Sequence, residues 1–348
     1  MNKLHELLYK AIELDASDIH LIVNNFPIAR VNGRLIHLSK VKLNKEDTYY
    51  YSKEILKYKY EDYNFVGEID CSYSIDNIGR FRVNVFKQCE QDSLAIRIIK
   101  YKIPTLQELN FPKAIKEFCN EKRGLILVTG PTGSGKSTTV ASIINEINEN
   151  KDLHILTLEE PIEFLHESKK SIINQREVGK DSKSYSTALK AALREDPDVI
   201  FIGEMRDIET ISIAIRAAET GHLVLSTLHT LGADATIDRI VDVFPANQQQ
   251  QIKTQLSFIL KGIISQQLVE KLDGKRTVAL EIMKSTPAIS NLIREGKNHQ
   301  IKSLMQTGAR YGMETMDNCL MKLYKNSLIN FESALDYAID KEFLKNTI

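Results

Sequence analysis

The short apolar run Gly124–Thr129 (GLILVT) passes directly into Gly130-Pro131-Thr132-Gly133-Ser134-Gly135-Lys136-Ser137. This stretch satisfies the pattern G-x-x-x-x-G-K-[ST], and the sequence context is the one the pattern requires. An apolar strand precedes it, and a helix follows with Val140, Ile143, Ile144 and Ile147 on one face. Glycines let the backbone curl so that successive N–H groups converge on an anion, and the helix N-terminus adds positive potential. Lys136 then supplies a point charge near the β- and γ-phosphates of a nucleotide, and Ser137 is the Mg²⁺ ligand. The predicted nucleotide-contacting set is Gly130, Pro131, Thr132, Gly133, Ser134, Gly135, Lys136, Ser137 and Thr138.

The chain around this loop is long enough, at 348 residues, for two domains with separate cores. Residues 1 to about 100 read as an α+β domain. A first amphipathic helix carries Leu4, Leu7, Leu8 and Ile12. Strand-like pieces follow at Asp18–Val23, Ala29–Asn32, Cys71–Ile75, Arg80–Phe86 and Leu94–Ile99, separated by turn signals at Asn32-Gly33 and Asp76-Asn77-Ile78-Gly79. Tyrosines 49, 50, 51, 58, 60 and 63 fall on a helix and are read as packing and surface residues. A linker at 101–112, bounded by Pro104 and Pro112, leads to strands alternating with helices over 113–348. That alternation predicts a parallel sheet covered on both faces. Past about residue 246 the pattern is mostly helical.

Lys plus Arg and Asp plus Glu are 46 each, giving a net charge of +0. Phosphate neutralisation supplies most nucleic-acid affinity, so this balance argues against a nucleic-acid partner. Cys71, Cys89, Cys119 and Cys319 form no Cys-x-x-Cys pair, so neither a zinc site nor a disulfide framework is expected. No run approaches the roughly 18 apolar residues that cross a bilayer, so membrane contact is expected through a partner protein.

Two further strands end in acids. Leu153–Leu158 terminates in Glu159-Glu160-Pro161-Ile162-Glu163, and Val199–Ile202 leads to Gly203-Glu204-Met205-Arg206-Asp207. Ligands of parallel sheets sit at carboxyl ends of strands, which places these acids for Mg²⁺ and the attacking water. The usual Asp after four apolar residues is replaced by Gly203, so Glu204 is assigned to Mg²⁺, through a water. Glu163 is the choice for polarising the attacking water, with Glu159 and Glu160 as competitors, and Asp207 caps the next helix. His222 and His229 bound another apolar run and stand roughly 23 Å apart if it is one strand. They cannot share a ligand. His229, at the carboxyl end, is the candidate γ-phosphate sensor, and His222 is assigned to an interface.

Together these pieces resemble the secretion-ATPase superfamily of the PilT, PilB and GspE types, and within it the pilus-retraction branch. Ala16-Ser-Asp-Ile-His-Leu21 resembles the opening signature, and Gly79–Phe86 resembles the segment closing a PAS-like N-terminal domain. Thr157–Glu163 resembles the Asp box, Gly203–Asp207 the Walker B strand end and Gly221–Thr230 the His box. Two departures stand out. Glu159-Glu160 replaces Glu-Asp, and Ser290 stands where the helical motif Ala288–Ile293 usually carries Arg.

The resemblance implies an α/β, RecA-like P-loop NTPase core with a parallel sheet, a smaller α+β PAS-like domain before it and helices after it. It also implies a cytoplasmic homohexamer at the inner face of the membrane, each nucleotide lying between the two domains and near a neighbouring subunit. ATP hydrolysis, with Glu163, Glu204, Lys136 and His229 as catalytic residues, would close and reopen the domains to retract a type IV pilus in twitching motility. A platform protein of the PilC type is the implied partner, with PilB- or PilU-type ATPases beside it. Arg80, Arg82, Arg97 and Arg194 match family positions that act across the cleft on the γ-phosphate. A PilU-like accessory is the near alternative. Assembly and type II secretion ATPases usually add a longer N-terminal region and a tetracysteine loop, and this chain has neither. A nucleic-acid translocase is the remote alternative, and a non-hydrolysing nucleotide-binding module is a third class, opposed by Lys136, Glu163 and Glu204 together.

Overall fold

The computed structural model describes residues 3–31, 33–75, 78–99 and 103–347. The expected turn residues Asn32, Asp76 and Asn77, and the first linker residues Tyr101 and Lys102, lie outside the described residues. The chain divides into two compact units, Met1–Lys102 and Ile103–Ile348.

The smaller unit runs α1 (Lys3–Glu13), β1 (Asp18–Leu21), β2 (Ile28–Val31), β3 (Arg34–His37), α2 (Lys45–Leu56), α3 (Tyr60–Val66), β4 (Glu68–Ile75), β5 (Gly79–Gln88) and β6 (Gln91–Ile99). Its six strands form an antiparallel sheet in the order β3-β2-β1-β6-β5-β4. Side chains alternate across a strand. Phe81, Val83 and Val85 of β5 therefore join the core with Leu4, Leu8, Tyr51, Ile55 and Tyr63, whereas Arg80, Arg82 and Asn84 face the other way. The expected strands are present. β3 was not expected, because its four residues are mostly exposed and carry no apolar alternation. The tyrosines are packing and surface residues as expected, but they lie on two helices, α2 and α3, and the 3-10 turn between them: Tyr51, Tyr60 and Tyr63 are buried, and Tyr49, Tyr50 and Tyr58 are exposed. Tyr60 and Tyr63 donate to the buried carboxylate of Asp92, at 3.1 and 2.8 Å.

The larger unit begins α4 (Lys113–Phe118), β7 (Gly124–Thr129), α5 (Lys136–Asn150), β8 (His154–Glu159), β9 (Ile172–Glu177) and α6 (Tyr185–Ala192). It continues β10 (Val199–Ile202), α7 (Ile208–Glu219), β11 (Leu223–Leu228), α8 (Ala233–Asp242), α9 (Ala246–Ile259), β12 (Leu260–Glu270) and β13 (Arg276–Lys284). The helices α10 (Pro287–Glu295), α11 (Ile301–Thr307), α12 (Met316–Lys325), α13 (Phe331–Tyr337) and α14 (Lys341–Thr347) complete it. Seven strands form one sheet in the order β13-β12-β7-β11-β10-β8-β9. All neighbours are parallel except the β12–β13 hairpin. Every residue of β7, β10 and β11 is buried, as expected for strands covered on both faces.

The expectation of mostly helical chain past residue 246 fails over Leu260–Lys284. β12 is buried on both faces, so it shows no alternation, and the adjacent glutamines Gln266 and Gln267 hide its apolar character. The helical pattern resumes at α10, where Thr286 caps the N-terminus and Ile289 and Ile293 are fully buried. Ser290 meets Ser285 through their hydroxyls at 3.1 Å.

Candidate active site

Lys136 is the first residue of α5, placed there by a loop whose Gly130, Gly133 and Gly135 all have positive φ. Gly130 is held to glycine twice over. Its φ is +144°, and an added Cβ would lie 2.2 Å from the backbone oxygen of Gln266 on β12. The buried Lys136 ammonium donates to the carbonyls of Gly130 and Pro131, at 2.8 and 3.0 Å. Burial lowers its pKa, and the negative charges of Glu204 and Glu163 oppose that shift. Both acids assigned from the sequence thus act electrostatically on the same lysine.

Glu204 follows β10. Its Oε2 accepts from Arg206 Nε at 2.8 Å, and its Oε1 lies 3.3 Å from Nε2 of His229. The other ring nitrogen of His229 is 3.3 Å from the Thr132 hydroxyl. A carboxylate only accepts, so the contact with Glu204 is one in which Nε2–H donates. His229 therefore ties the glycine loop to the acid at the end of β10. His222 stands just before β11, at its opposite end, where Nδ1 meets the Ala217 carbonyl at 3.0 Å. The two histidines do not meet.

The strand-end acids of β8 differ sharply in setting. Glu159 is buried and accepts from Thr157 Oγ1 at 2.7 Å and Gln175 Nε2 at 3.1 Å, and also from the backbone N–H of Glu163. Burial is the main cause pushing its carboxyl up to about 7. A carboxyl so enclosed holds the loop rather than meeting water, whereas Glu160 and Glu163 are exposed. The same loop is fastened by Gln175, which donates to Phe164 O at 2.8 Å and accepts from His166 N at 2.8 Å. Asp207 caps α7 by accepting from Thr210 N at 2.8 Å.

Gly203, at the usual acid position, leaves little room for a side chain: a Cβ would sit 2.8 Å from the Tyr185 hydroxyl and 3.3 Å from the Leu158 carbonyl oxygen. That phenol is held neutral by burial and by Glu160 and Glu159. Tyr185, Gln175 and Gln266 were not singled out from the sequence. A glutamine inside an apolar strand was the one available signal, since a buried amide needs partners.

Of the four arginines, only Arg194 shares the unit of the glycine loop; it is exposed directly after α6. Arg82 and Arg97 are cross-strand neighbours in the smaller unit. Arg97 Nε meets Asp18 at 3.2 Å, Arg82 lies 3.9 Å from Asp70, and Arg80 reaches the Ser72 hydroxyl at 3.4 Å.

A glycine-lined anion cradle at the carboxyl edge of a parallel sheet, with a buried lysine and facing glutamates, defines a P-loop ATPase. Residues 1–327 match the family model described as type II/IV secretion system protein. The chain is 47% identical to the type IV pilus retraction ATPase PilT of Pseudomonas aeruginosa, covering 96% of this chain and 97% of that protein. It is 40% identical to the type IV pilus ATPase PilU of the same organism, covering 96% and 88% respectively. A crystal structure of the pilus retraction motor PilT with bound ADP matches with a TM-score of 0.94 and 49% identity, over 99% of this chain and 100% of that one. The chain belongs to the type II/IV secretion system protein family, as a PilT-type pilus retraction ATPase.

Proposed function

We propose that this chain hydrolyses ATP to ADP and phosphate as a homohexameric ring motor that drives type IV pilus retraction. The observation carrying the reading is that a buried P-loop lysine feels both Glu204 and Glu163, in a fold matching an ADP-bound retraction motor. The loop N–H groups and Lys136 bind the β- and γ-phosphates. Glu163 polarises the attacking water and takes its proton while the bond from the γ-phosphorus to the β–γ bridging oxygen breaks. His229, joined to Glu204 and Thr132, senses the γ-phosphate.

The donors near Lys136 suit Mg²⁺, because the Ser137 hydroxyl and the Glu204 carboxylate offer hard oxygen ligands. The buried hydroxyls of Thr129 and Ser134, in and beside the loop, have no hydrogen-bond partner, which fits a site built for further polar contacts. Ser137 and, through a water, Glu204 would hold the ion, which when bound neutralises charge on the phosphate oxygens. Arg80, Arg82, Arg97 and Arg194 are the candidates for further neutralisation across subunits of the ring.

No helix among the described residues is long and apolar enough to cross a membrane. We assign the ring to the cytoplasmic face of the inner membrane, working through a platform protein of the PilC type beside PilB- or PilU-type ATPases.

Phosphate release with ATP and Mg²⁺ tests the reading. Lys136→Ala and Glu204→Ala should each abolish turnover, and His222→Ala should retain nucleotide binding. Release no greater than the Lys136→Ala control, even with the platform protein present, would refute hydrolysis. In cells, deleting the gene should leave pili that form but do not retract; absent pili would refute retraction.

A further inference from the structure

Gln266 lies on β12, far from the loop in sequence, and is 1% exposed. Both ends of its amide are used on the phosphate loop and its helix. Nε2 donates to the carbonyl of Ser134 at 2.6 Å, and Oε1 accepts from the Thr139 hydroxyl at 2.8 Å. Its backbone oxygen is the atom that excludes a side chain at Gly130. One residue therefore touches the loop at Gly130 and Ser134 and the helix behind it at Thr139, bracketing Lys136 and Ser137.

The consequence follows from the planarity of the peptide bond. In a trans peptide the carbonyl and the next N–H point in opposite directions. Fixing the Ser134 carbonyl against Gln266 aims the Gly135 N–H away from that amide, the side left for the proposed nucleotide phosphate. Gly135 has φ of +90°, and a Cβ there would approach Gln266 Nε2 at 3.3 Å, so the glycine permits the close approach. Among the described residues no other hydrogen bond reaches this carbonyl; the flanking Ser134 N–H and Gly135 carbonyl are held by Pro131 O and Thr139 N, so losing the amide loosens the peptide at this one group.

We infer that Gln266 is a positioning residue that pre-orients the Gly135 N–H for nucleotide phosphate. This rests on the nucleotide-site reading above. The adjacent Gln267 supplies an internal control. It is also buried on β12 but, being next in the strand, faces the opposite side, where it donates to Tyr337 O at 3.0 Å.

The test compares Gln266→Met and Gln267→Met, each of similar volume to glutamine. ADP and adenosine affinities are measured by competition against a fluorescent nucleotide, with thermal unfolding as a check on folding. Removing a donor and leaving a carbonyl unpaired predicts about tenfold weaker ADP binding in Gln266→Met, with adenosine unaffected. Gln267→Met should bind both as the parent does. A merely structural role would weaken the two ligands alike, and that result overturns the inference, as does unchanged ADP affinity in Gln266→Met. Should Gln266→Met not fold, Thr139→Val removes the hydroxyl that donates to Oε1 at 2.8 Å and, more weakly, to the Gly135 carbonyl at 3.3 Å, which Thr139 N still holds. About threefold weaker ADP binding there, again without change for adenosine, supports the brace, and no change refutes it. If the parent and Lys136→Ala bind ADP equally, the nucleotide site itself is wrong and the brace falls with it.

Discussion

A carboxyl kept protonated by burial makes stability depend on pH, and Glu159 provides that dependence here. Its folded-state pKa is about 7, against an ordinary value of 4.5. Between those values the folded chain holds a proton that the unfolded chain has released. Stability from this group is therefore complete below pH 4.5 and declines as pH rises through 7. A shift of this size corresponds to about 3 kcal/mol in total, since each pH unit of the window carries about 1.4 kcal/mol. Glu159→Gln keeps the shape and removes the titration. Urea unfolding of both proteins at intervals from pH 5 to pH 8, taken as the difference between them, cancels groups they share. The variant should gain on the parent from pH 5 to about 7, and the difference should level off above that. Parallel stability curves would refute the claim that this carboxyl is protonated in the folded state.

Two other perturbations test the packing. Gly203→Ala forces a methyl within 2.8 Å of the Tyr185 hydroxyl and should destabilise by about 1–3 kcal/mol. Tyr185→Phe removes that oxygen, so the double variant should recover part of the loss; a double-mutant cycle in thermal unfolding with no coupling would contradict the placement of the ring. In the smaller unit, Asp92→Ala strips the acceptor from Tyr60 and Tyr63 and the partner from Lys87, 3.2 Å away. A loss of about 3–5 kcal/mol in urea unfolding is expected, and a loss under about 1 kcal/mol would show that these hydroxyls find other partners.

What was legible in the sequence follows the range of the interactions involved. The strand, loop and helix of the cradle were readable because glycine spacing, strand apolarity and helix periodicity act between neighbours along the chain. Asp207 followed suit: a cap bonds within its own first turn.

The β12–β13 hairpin was misread because a strand buried on both faces loses its period, and burial there comes from neighbours rather than from pattern.

The sequence by itself determined that a phosphate cradle forms and that acids and histidines stand near the ends of particular strands. Only the tertiary structure decided between them. It enclosed Glu159 under Thr157 and Gln175 and left Glu163 exposed, a difference that two glutamates four positions apart do not carry in their identities. It also brought Gln266 against Ser134 across 132 positions of sequence. That contact exists because β12 is the sheet neighbour of β7, and strand order is set by how the whole chain buries its apolar surface. Local preference builds each element, while the partner of a buried polar group is chosen by packing between distant ones.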